Sequence, residues 1–271
     1  MKYADLHAHT SESDGTYTPE QLVKEALKRS LSAVAIVDHD TVSAIPLAIK
    51  AAESTALEII PGIELTSQYE NQEVHILGYF LDYQDKGLLD KLKPVRQNRI
   101  RRVHEMIKNL KGLDIELDPQ TVFDIAGTGT VGRMHIARAL VKDGWVGSTA
   151  EAFRKYIGDK SPAYVLGFRF SPEEAIKMIR DAGGVAVLAH PYVLRNDDWI
   201  IEFAANGLQG LEAYYPEHSQ SQVNYYLELA RKLNLVVTGG SDFHGSAKPN
   251  VKLGCVKIPL ELVEKLLLAK R

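Results

Sequence analysis

The sequence D-L-H-A-H-T at residues 5–10 organises the chain, because it joins a strand pattern to a pair of potential metal ligands. Alternation along a strand places His7 and His9 on one face, with Leu6 and Ala8 on the other. Two imidazoles about 7 Å apart on one side of a strand can hold an ion if further ligands converge on it. Alone, the pair is equally compatible with two ordinary polar strand residues. The choice depends on what the later strands carry.

The composition fits a chain that buries a full core, as one large domain or as one domain with an insertion. It has 271 residues, of which 45% are hydrophobic, and its net charge of −3 argues against polyanion binding by bulk electrostatics. The single Cys255 excludes an internal disulfide, and we expect it to be a buried small residue. The sequence shows no secretory signal pattern and no apolar run of membrane-spanning length. We therefore expect a cytoplasmic protein with no membrane association and no obligate protein partner.

Strand and helix patterns alternate in the first 85 residues and again from residue 171. Two helix starts are marked by capping boxes, Thr18 with Gln21 and Ser171 with Glu174. After the first strand, predicted strands cover residues 32–37, 57–60, 73–79, 185–189, 208–213 and 235–238. Such alternation predicts a parallel, barrel-like α/β sheet.

From about residue 86 the alternation stops, and roughly 80 residues show helical periodicity without a convincing strand. Predicted helices in this region cover residues 87–111, 119–126, 133–143 and 149–156. We interpret residues 94–168 as a helical insertion, or cap subdomain, within a barrel formed by residues 1–93 and 169–271. We expect this cap to cover the mouth of the barrel.

Residues of metal-ligand type recur at the ends of the predicted strands, and the carboxyl ends of parallel barrel strands meet at one mouth. A lone histidine is more often a hydrogen-bonded structural residue, but nine such side chains at successive strand ends and one loop argue against coincidence. Mixed imidazole and carboxylate ligation suits Zn²⁺, Mn²⁺ or Fe²⁺ better than Ca²⁺ or Mg²⁺. Nine ligands are too many for a single ion. A carboxylate such as Glu64 can bridge two ions about 3.5–4 Å apart. The candidate ligands are His7, His9, Asp14, His39, Glu64, His75, His190, Asp242 and His244.

The motifs D-L-H-A-H-T, V-D-H-D, G-I-E, H-I-L-G-Y, A-H-P and G-S-D-F-H-G, in this order, resemble the polymerase-and-histidinol-phosphatase (PHP) family of metal phosphoesterases. The resemblance covers about residues 3–85 and 170–258, and it implies a distorted (β/α)7 barrel that holds two to three divalent ions. Asp14 stands where many relatives have histidine, which implies a harder third site for Mn²⁺ or Fe²⁺. Carried over to this sequence, the ligand sets are His7, His9, Glu64 and Asp242 for one ion, Glu64, His75 and His190 for a second, and Asp14, His39 and His244 for a third.

The insertion carries G-R-M-H-I-A-R at residues 132–138 and S-P-A-Y-V at residues 161–165, which are similar to a branch of this family with a helical cap. Members of that branch remove the 3′-phosphate from nucleoside 3′,5′-bisphosphates or trim short RNA from a 5′-phosphate end. The resemblance therefore implies hydrolysis of a small nucleotide or a short RNA end by a hydroxide that bridges the ions. Glu64 would hold the bridged pair, Arg133 would offset phosphate charge, and His218 or Asp242 would handle a proton.

Several residues outside the ligand set could contact the substrate. Arg133 and His135 lie at a predicted helix start, where they could bind phosphate or be a surface arginine and a packed histidine. His218 follows a strand end and, by the resemblance, would lie near the leaving group. Lys160 and Arg169, near the end of the insertion, are weaker phosphate candidates.

Three further patterns leave alternatives open. Residues 91–111 contain eight Lys or Arg and one Glu, which indicates either a solvated helix face or a funnel for RNA or nucleotide. The pair Tyr214-Tyr215 could pack in the core or floor a base-stacking pocket, and we expect one of each. Residues 127–132 match G-x-G-x-x-G, but they follow a helical stretch rather than a strand, so we do not expect a dinucleotide site.

Other functions compete with this interpretation. A histidinol-phosphate phosphatase would share the barrel and the chemistry but would need no basic cap. A non-catalytic PHP module serving a partner such as a polymerase would be expected to have degenerate ligands, whereas all nine positions are filled here. Hydrolysis of C–N bonds is disfavoured because no candidate for a carboxylated lysine lies at a strand end.

Overall fold

In the computed structural model, which describes residues 2–167, 169–194 and 196–270, an eight-stranded sheet curls into a nearly closed barrel. Its strand order is β7-β6-β5-β4-β3-β2-β1-β8. The strands are β1 Tyr3–Ala8, β2 Ala33–Ile36, β3 Glu58–Tyr69, β4 Gln72–Tyr79, β5 Val185–Leu188, β6 Gly210–Tyr214, β7 Val236–Gly239 and β8 Ile258–Pro259. The α/β barrel expected from the sequence is therefore confirmed, with β8 as a short addition that pairs antiparallel with β1.

The described residues also form ten α-helices. They are α1 Pro19–Lys28, α2 Ala44–Ala52, α3 Lys86–Lys111, α4 Pro119–Ala126, α5 Arg133–Lys142, α6 Thr149–Ala152, α7 Pro172–Asp181, α8 Asp198–Ala205, α9 Gln220–Lys232 and α10 Leu260–Leu268. A π-helical turn, Phe153–Ile157, continues α6. Both predicted capping boxes are confirmed, because Thr18 and Ser171 each exchange hydrogen bonds with the residue three positions later. No described helix is long and apolar enough to cross a bilayer.

The barrel closes where the chain after β7 passes β1. The N–H of His9 donates to Phe243 O at 2.9 Å, and the N–H of Phe243 donates to His7 O at 3.2 Å. Gly240 permits this approach, because a Cβ at that position would lie 2.3 Å from the main-chain nitrogen of His7. The ends of β1 and β7 are thereby brought to the same mouth.

Strand β4 runs antiparallel to both β3 and β5, so the expectation of an all-parallel sheet is wrong at this point. The cause is local, since β3 and β4 form a hairpin whose two turn residues, Glu70 and Asn71, have φ of 43° and 65°. Two consecutive residues with positive φ match the twist of a right-handed hairpin, and asparagine tolerates this conformation well. Strand β3 is also longer than predicted, because it continues to Tyr69 on the hairpin.

The sheet core is apolar, as the four buried residues of β2 illustrate. Cys255 departs from the expectation of a buried residue, because its side chain is exposed. Its neighbour Leu253 is buried instead, and Gly254, with φ of 70°, turns the chain between them. The thiol therefore plays no part in the core.

The helices of the insertion form an apolar cluster of their own. Its buried members include Val103, Met106, Leu110, Val122, Ile136, Leu140 and Ile157. The first half of α3 belongs to the barrel instead, because Leu88, Leu92 and Val95 pack in the cluster around β3 and β4. Helix α3 is continuous through Pro94, so the expected boundary at residue 94 falls inside a helix. The division into residues 1–93, 94–168 and 169–271 stays a prediction.

A charged contact fixes α3 on the barrel. The Arg99 guanidinium donates to Asp40 Oδ2 from Nε at 2.8 Å and from Nη2 at 2.5 Å, and Nη2 also donates to Thr66 Oγ1 at 2.9 Å. The side chain of Asp40 is 1% exposed, whereas Arg101 on the same helix is 69% exposed. The basic stretch of α3 therefore has both an inward-facing and a solvated part.

We predict that Arg99→Ala lowers the free energy of unfolding by about 3–5 kcal/mol, because it leaves the buried Asp40 carboxylate without its cation. Arg101→Ala, the matched control on the solvated face, should change it by less than about 0.5 kcal/mol. Urea denaturation followed by circular dichroism measures both values. Equal losses for the two variants would show that the Asp40 contact does not hold the insertion.

Candidate metal centre

Glu64 lies at the centre of the candidate site, on the inner face of β3, and its side chain is 1% exposed. The segment after β2 fixes its main chain, because its N–H donates to Asp38 O at 3.2 Å and its carbonyl accepts from Asp40 N at 3.0 Å. Its two carboxylate oxygens face five imidazoles at 2.8–3.4 Å. These nitrogens are His75 Nδ1 at 2.8 Å and His190 Nε2 at 3.2 Å from Oε1, and His9 Nε2 at 3.1 Å, His7 Nε2 at 3.4 Å and His39 Nδ1 at 3.4 Å from Oε2.

Two further carboxylates complete the cluster on the side of β1 and β7. Asp242 Oδ1 lies 3.3 Å from both His9 Nε2 and His244 Nδ1. It is also 3.5 Å from His7 Nε2. Asp14, on the loop after β1, places Oδ1 3.2 Å from His244 Nε2. All nine residues that the sequence singled out as ligands therefore lie in one cluster.

The loop that carries Asp14 is held by a buried carboxylate. Asp38 Oδ1 accepts from Thr10 N at 2.7 Å and from Ser13 Oγ at 2.5 Å, and Oδ2 accepts from Thr10 Oγ1 at 2.7 Å. Asp38 follows β2, and Thr10 follows β1, so the two strand ends are joined directly above the sheet. In the V-D-H-D motif, Asp38 therefore holds the loop that carries Asp14, and His39 contributes an imidazole to the cluster.

Eight of the nine residues, all except His190, form three overlapping groups whose potential donor atoms lie within 4.8 Å of one another. Two of the groups agree closely with the sets implied by the sequence. In the third, His39 takes the place expected for His190, whose Nε2 nevertheless lies 3.2 Å from Glu64 Oε1. The groups are His7, His9 and Asp242; His39, Glu64 and His75; and His9, Asp14, His39 and His244.

The donor set fits divalent cations. Both ring nitrogens of His9 and the Nδ1 atoms of His39, His75 and His190 are buried and, among the described residues, make no hydrogen bond of good geometry, although carboxylate oxygens of Glu64 lie close to several of them. Such atoms are costly to bury unless an ion or a proton donor satisfies them. Burial alone would raise the pKa of Glu64, but His39, His75 and other imidazoles outweigh it and hold that pKa well below its usual value. An ionised carboxylate among imidazoles is the ligand combination of Zn²⁺, Mn²⁺ and Fe²⁺ sites.

Two carboxylates that sequence reasoning missed hold the far side of the ligand imidazoles. Glu212, fully buried on β6, places Oε1 2.9 Å from His7 Nδ1, and its Oε2 accepts from the main-chain N–H of His190 at 2.8 Å. Glu73 Oε1 lies 2.8 Å from His75 Nε2. A carboxylate on the second ring nitrogen fixes the orientation of a ligating imidazole. The i, i+2 spacing of Glu73 and His75 was a usable signal, whereas nothing in L-E-A-Y-Y marked Glu212.

A cavity of about 710 Å³ opens over this cluster and is walled by both the barrel and the insertion. Arg99, Arg102 and Arg133 line it on the side of the insertion. Tyr215 and Lys248 line it on the side of the barrel, and both donate to Asp242 Oδ2 at 2.6 Å. Lys248 carried no signal in the sequence, because a lysine after a loop motif is most often solvated.

Four of the residues considered as substrate contacts do not line the cavity, namely His135, Lys160, Arg169 and His218. His135 is 1% exposed and its Nδ1 accepts the N–H of Gly132 at 3.0 Å, so it packs at the start of α5. Burial lowers the pKa of His135 to about 4, which keeps the ring neutral. Lys160 is exposed outside the cavity wall. The expectation of a direct phosphate contact for His135 and Lys160 therefore finds no support.

His218 lies behind the cavity wall rather than on it. Its Nδ1 is 2.8 Å from Ala213 O, and its ring contacts those of Tyr192, Tyr215 and Tyr226. Its Nε2 is buried without a hydrogen-bond partner among the described residues. Tyr192 and Tyr215 thus separate His218 from the open volume.

Arg133 lines the cavity, and Arg169 is 3% exposed and pairs with Glu73 beneath it. Tyr215 lines the cavity while Tyr214 packs against the barrel core, and the base-stacking role expected for one of the two stays a prediction. The 127–132 loop rests on the loop after β1, where Gly129 approaches the main chain of residues 11 and 12. It is not the turn of a βαβ unit.

Comparisons with known proteins agree with this geometry. The sequence profile of the PHP domain family matches residues 5–143. The 5′-3′ exoribonuclease Rnm of Salmonella typhimurium is 35% identical over 258 residues, which cover 92% of the chain and 87% of that protein. A 3′,5′-nucleoside bisphosphate phosphatase of Chromobacterium violaceum is 31% identical over 264 residues, which cover 94% and 91%. A Bifidobacterium adolescentis crystal structure, assigned as a metal-dependent phosphoesterase, has a TM-score of 0.92 and 34% identity, covering 98% of this chain and 96% of that one.

We predict that Glu64→Ala loses more than one equivalent of transition metal relative to the wild type, because Glu64 faces ligands of more than one group. Elemental analysis of Mn²⁺-reconstituted protein measures the stoichiometry. Glu217→Ala is the matched control, since Glu217 lines the same cavity but accepts from Tyr192 rather than facing the imidazoles. Unchanged metal content in Glu64→Ala would refute a centre organised by this carboxylate.

Proposed function

The chain belongs to the PHP domain family and is a metal-dependent phosphoesterase, and we propose that its substrate is a nucleoside 3′,5′-bisphosphate or the 5′ end of a short RNA. The observation that carries this proposal is the position of Arg133. It comes from the insertion and lines the same cavity as Glu64, His75 and Asp242. A cation that shares a cavity with the metal cluster can bind a second anionic group of the substrate while the ions bind the reacting phosphate.

The nine clustered residues would hold two to three divalent ions, and Mn²⁺, Fe²⁺ or Zn²⁺ suits their mixed donors. We assign His7, His9, Glu64 and Asp242 to the first site. Glu64, His75 and His190 would form the second site, and Asp14, His39 and His244 the third; His39 also approaches the second. Bound ions would supply an activated water and offset charge on the non-bridging oxygens of the reacting phosphate.

The protein's own groups orient the ligands and bind the substrate. Asp242 offers Oδ1 to the centre, because Tyr215 and Lys248 hold its Oδ2. Arg133 binds the second phosphate from the side of the insertion, where Arg102 has a buried Nη2 without a hydrogen-bond partner among the described residues. The guanidinium groups on this wall would then attract the non-reacting phosphate.

Two sequence-based assignments change within this proposal. His218 supports Tyr192 and Tyr215 from behind, so it does not transfer a proton to the substrate directly. His135 and Lys160 take no part in binding the phosphate, for the reasons of burial and position given above. A cytoplasmic location, where nucleotides and RNA ends occur, completes the proposal.

We predict that a nucleoside 3′,5′-bisphosphate, or an RNA end with a 5′-phosphate, is hydrolysed far better than a 3′- or 5′-monophosphate. Arg133→Ala should cost about 2–4 kcal/mol in kcat/KM for that substrate, because a charged contact to phosphate is lost. For a simple aryl phosphate, which has no second phosphate, the cost should be much smaller. Phosphate release from a panel of these substrates measures the difference.

The control for this experiment is Arg154→Ala, because Arg154 is exposed nearby and does not line the cavity. Equal losses on both substrates in Arg133→Ala would place Arg133 at the reacting phosphoryl group instead. If histidinol phosphate outperforms every nucleotide in the panel, the substrate assignment is wrong and only the phosphoesterase chemistry remains.

We also predict that a chelator abolishes phosphate release and that Mn²⁺ restores it. Mg²⁺ should restore less, since a cluster rich in imidazole favours transition metals over an ion that prefers oxygen ligands. Activity and metal content are measured on the same samples. Full activity in protein shown to be free of metal would contradict the proposal.

A further inference from the structure

Glu73 is a cavity-lining carboxylate that the proposed chemistry does not use, and its two oxygens point in two directions. Oε1 lies 2.8 Å from His75 Nε2. Oε2 accepts from Arg133 Nη2 at 2.9 Å and also pairs with Arg169 Nη2. One side chain therefore contacts His75 of the metal cluster, Arg133 of the cavity wall and Arg169 beneath that wall.

The geometry of His75 gives the first contact a specific meaning. Its Nδ1 faces the cluster, 2.8 Å from Glu64 Oε1, so this nitrogen must offer its lone pair if the ring is to hold an ion. The proton then resides on Nε2, which faces Glu73. A carboxylate that accepts this proton fixes the tautomer and the ring plane and increases the donor strength of Nδ1.

The second contact holds the cap side of the cavity. Arg133 is 16% exposed, and its guanidinium also donates to Asp159 Oδ1 at 2.5 Å and lies over the rings of Phe153 and Tyr164. Arg169 is 3% exposed. Burial alone would raise the pKa of Glu73, but Arg133 and Arg169 outweigh it and hold that pKa well below its usual value. Glu73 is therefore the anion around which these cations are arranged.

The geometry of β4 explains why Glu73 can contact both His75 and Arg133. Glu73 and His75 are two positions apart on β4, so their side chains leave the same face. The hairpin register pairs Thr66 with His75 and Gln68 with Glu73, which carries that face from the metal cluster toward the insertion. The antiparallel direction of β4 therefore places the Glu73 carboxylate between the metal cluster and the insertion.

We propose that Glu73 is a positioning residue that links the metal centre to the second-phosphate wall, with Oε1 orienting His75 and Oε2 placing Arg133. This inference rests on the proposed metal centre, and it adds that metal affinity and recognition of the second phosphate depend on the same carboxylate. Removing Glu73 damages both properties, whereas removing Arg133 damages only the second.

The test measures Mn²⁺ affinity by competition with a fluorescent chelator, which needs no substrate. Glu73→Ala should weaken Mn²⁺ binding by about 10–100-fold, the usual effect of losing the outer partner of a ligating imidazole. Glu73→Gln should weaken it less, because the amide oxygen can still accept from His75 Nε2. Arg133→Ala should leave the affinity close to the wild-type value. Glu70→Gln, in the exposed turn of the same hairpin, is the control for damage to the hairpin.

Steady-state kinetics supply the second readout. Glu73→Gln should raise KM for the bisphosphate as Arg133→Ala does, because its amide cannot accept from both Arg133 and His75, and KM for an aryl phosphate should hardly change. A purely structural role would not separate the two substrates. Wild-type Mn²⁺ affinity in both Glu73 variants would overturn the inference, as would an equal loss in Glu70→Gln. If the wild type binds no Mn²⁺, it is instead the proposed function that fails.

Discussion

The structure depends on one buried carboxylate that faces five imidazoles. In an interior of low polarity, the ionised Glu64 is stable only because positive or polarisable partners surround it, and those partners come from four strands and the segments that directly follow them. The barrel must therefore close tightly enough to bring these strand ends together. The close passage at Gly240 and the bridge between Ala8 and Phe243 achieve this. Further buried carboxylates, Asp38 and Glu212, then hold the loop and the imidazoles in place.

Much of this arrangement could be predicted from local sequence signals. Alternation fixes which face of a strand His7 and His9 share, and capping boxes mark where helices begin, so the barrel and the nine clustered residues followed from patterns of a few residues. The antiparallel direction of β4 could not be predicted in this way, because it depends on the conformation of Glu70 and Asn71 in a turn that carries no glycine. Contacts that depend on packing between distant segments were also missed. Glu212 lies 205 residues from His7, and no spacing in the sequence connects them.

The candidate substrate contacts also could not be decided from the sequence alone. Arg133 and His135 have equal claims at a helix start, yet the helix turns one into the cavity and buries the other against its own N-terminus. Position along a helix therefore identifies candidates, whereas tertiary packing decides between them. Packing also separates the arginines of the basic helix α3, because Arg99 contacts the barrel while Arg101 is solvated. The insertion contributes charge to the cavity through Arg99, Arg102 and Arg133, which line it.

The central claim is that Glu64 organises a multinuclear metal centre at the mouth of the barrel. Anomalous diffraction at the manganese edge from crystals of the Mn²⁺-loaded protein tests it most directly. The account predicts at least two peaks within the cluster, with two of them about 3.5–4 Å apart and the Glu64 carboxylate between them. A single peak that does not contact Glu64, or peaks only outside the nine clustered residues, would contradict it.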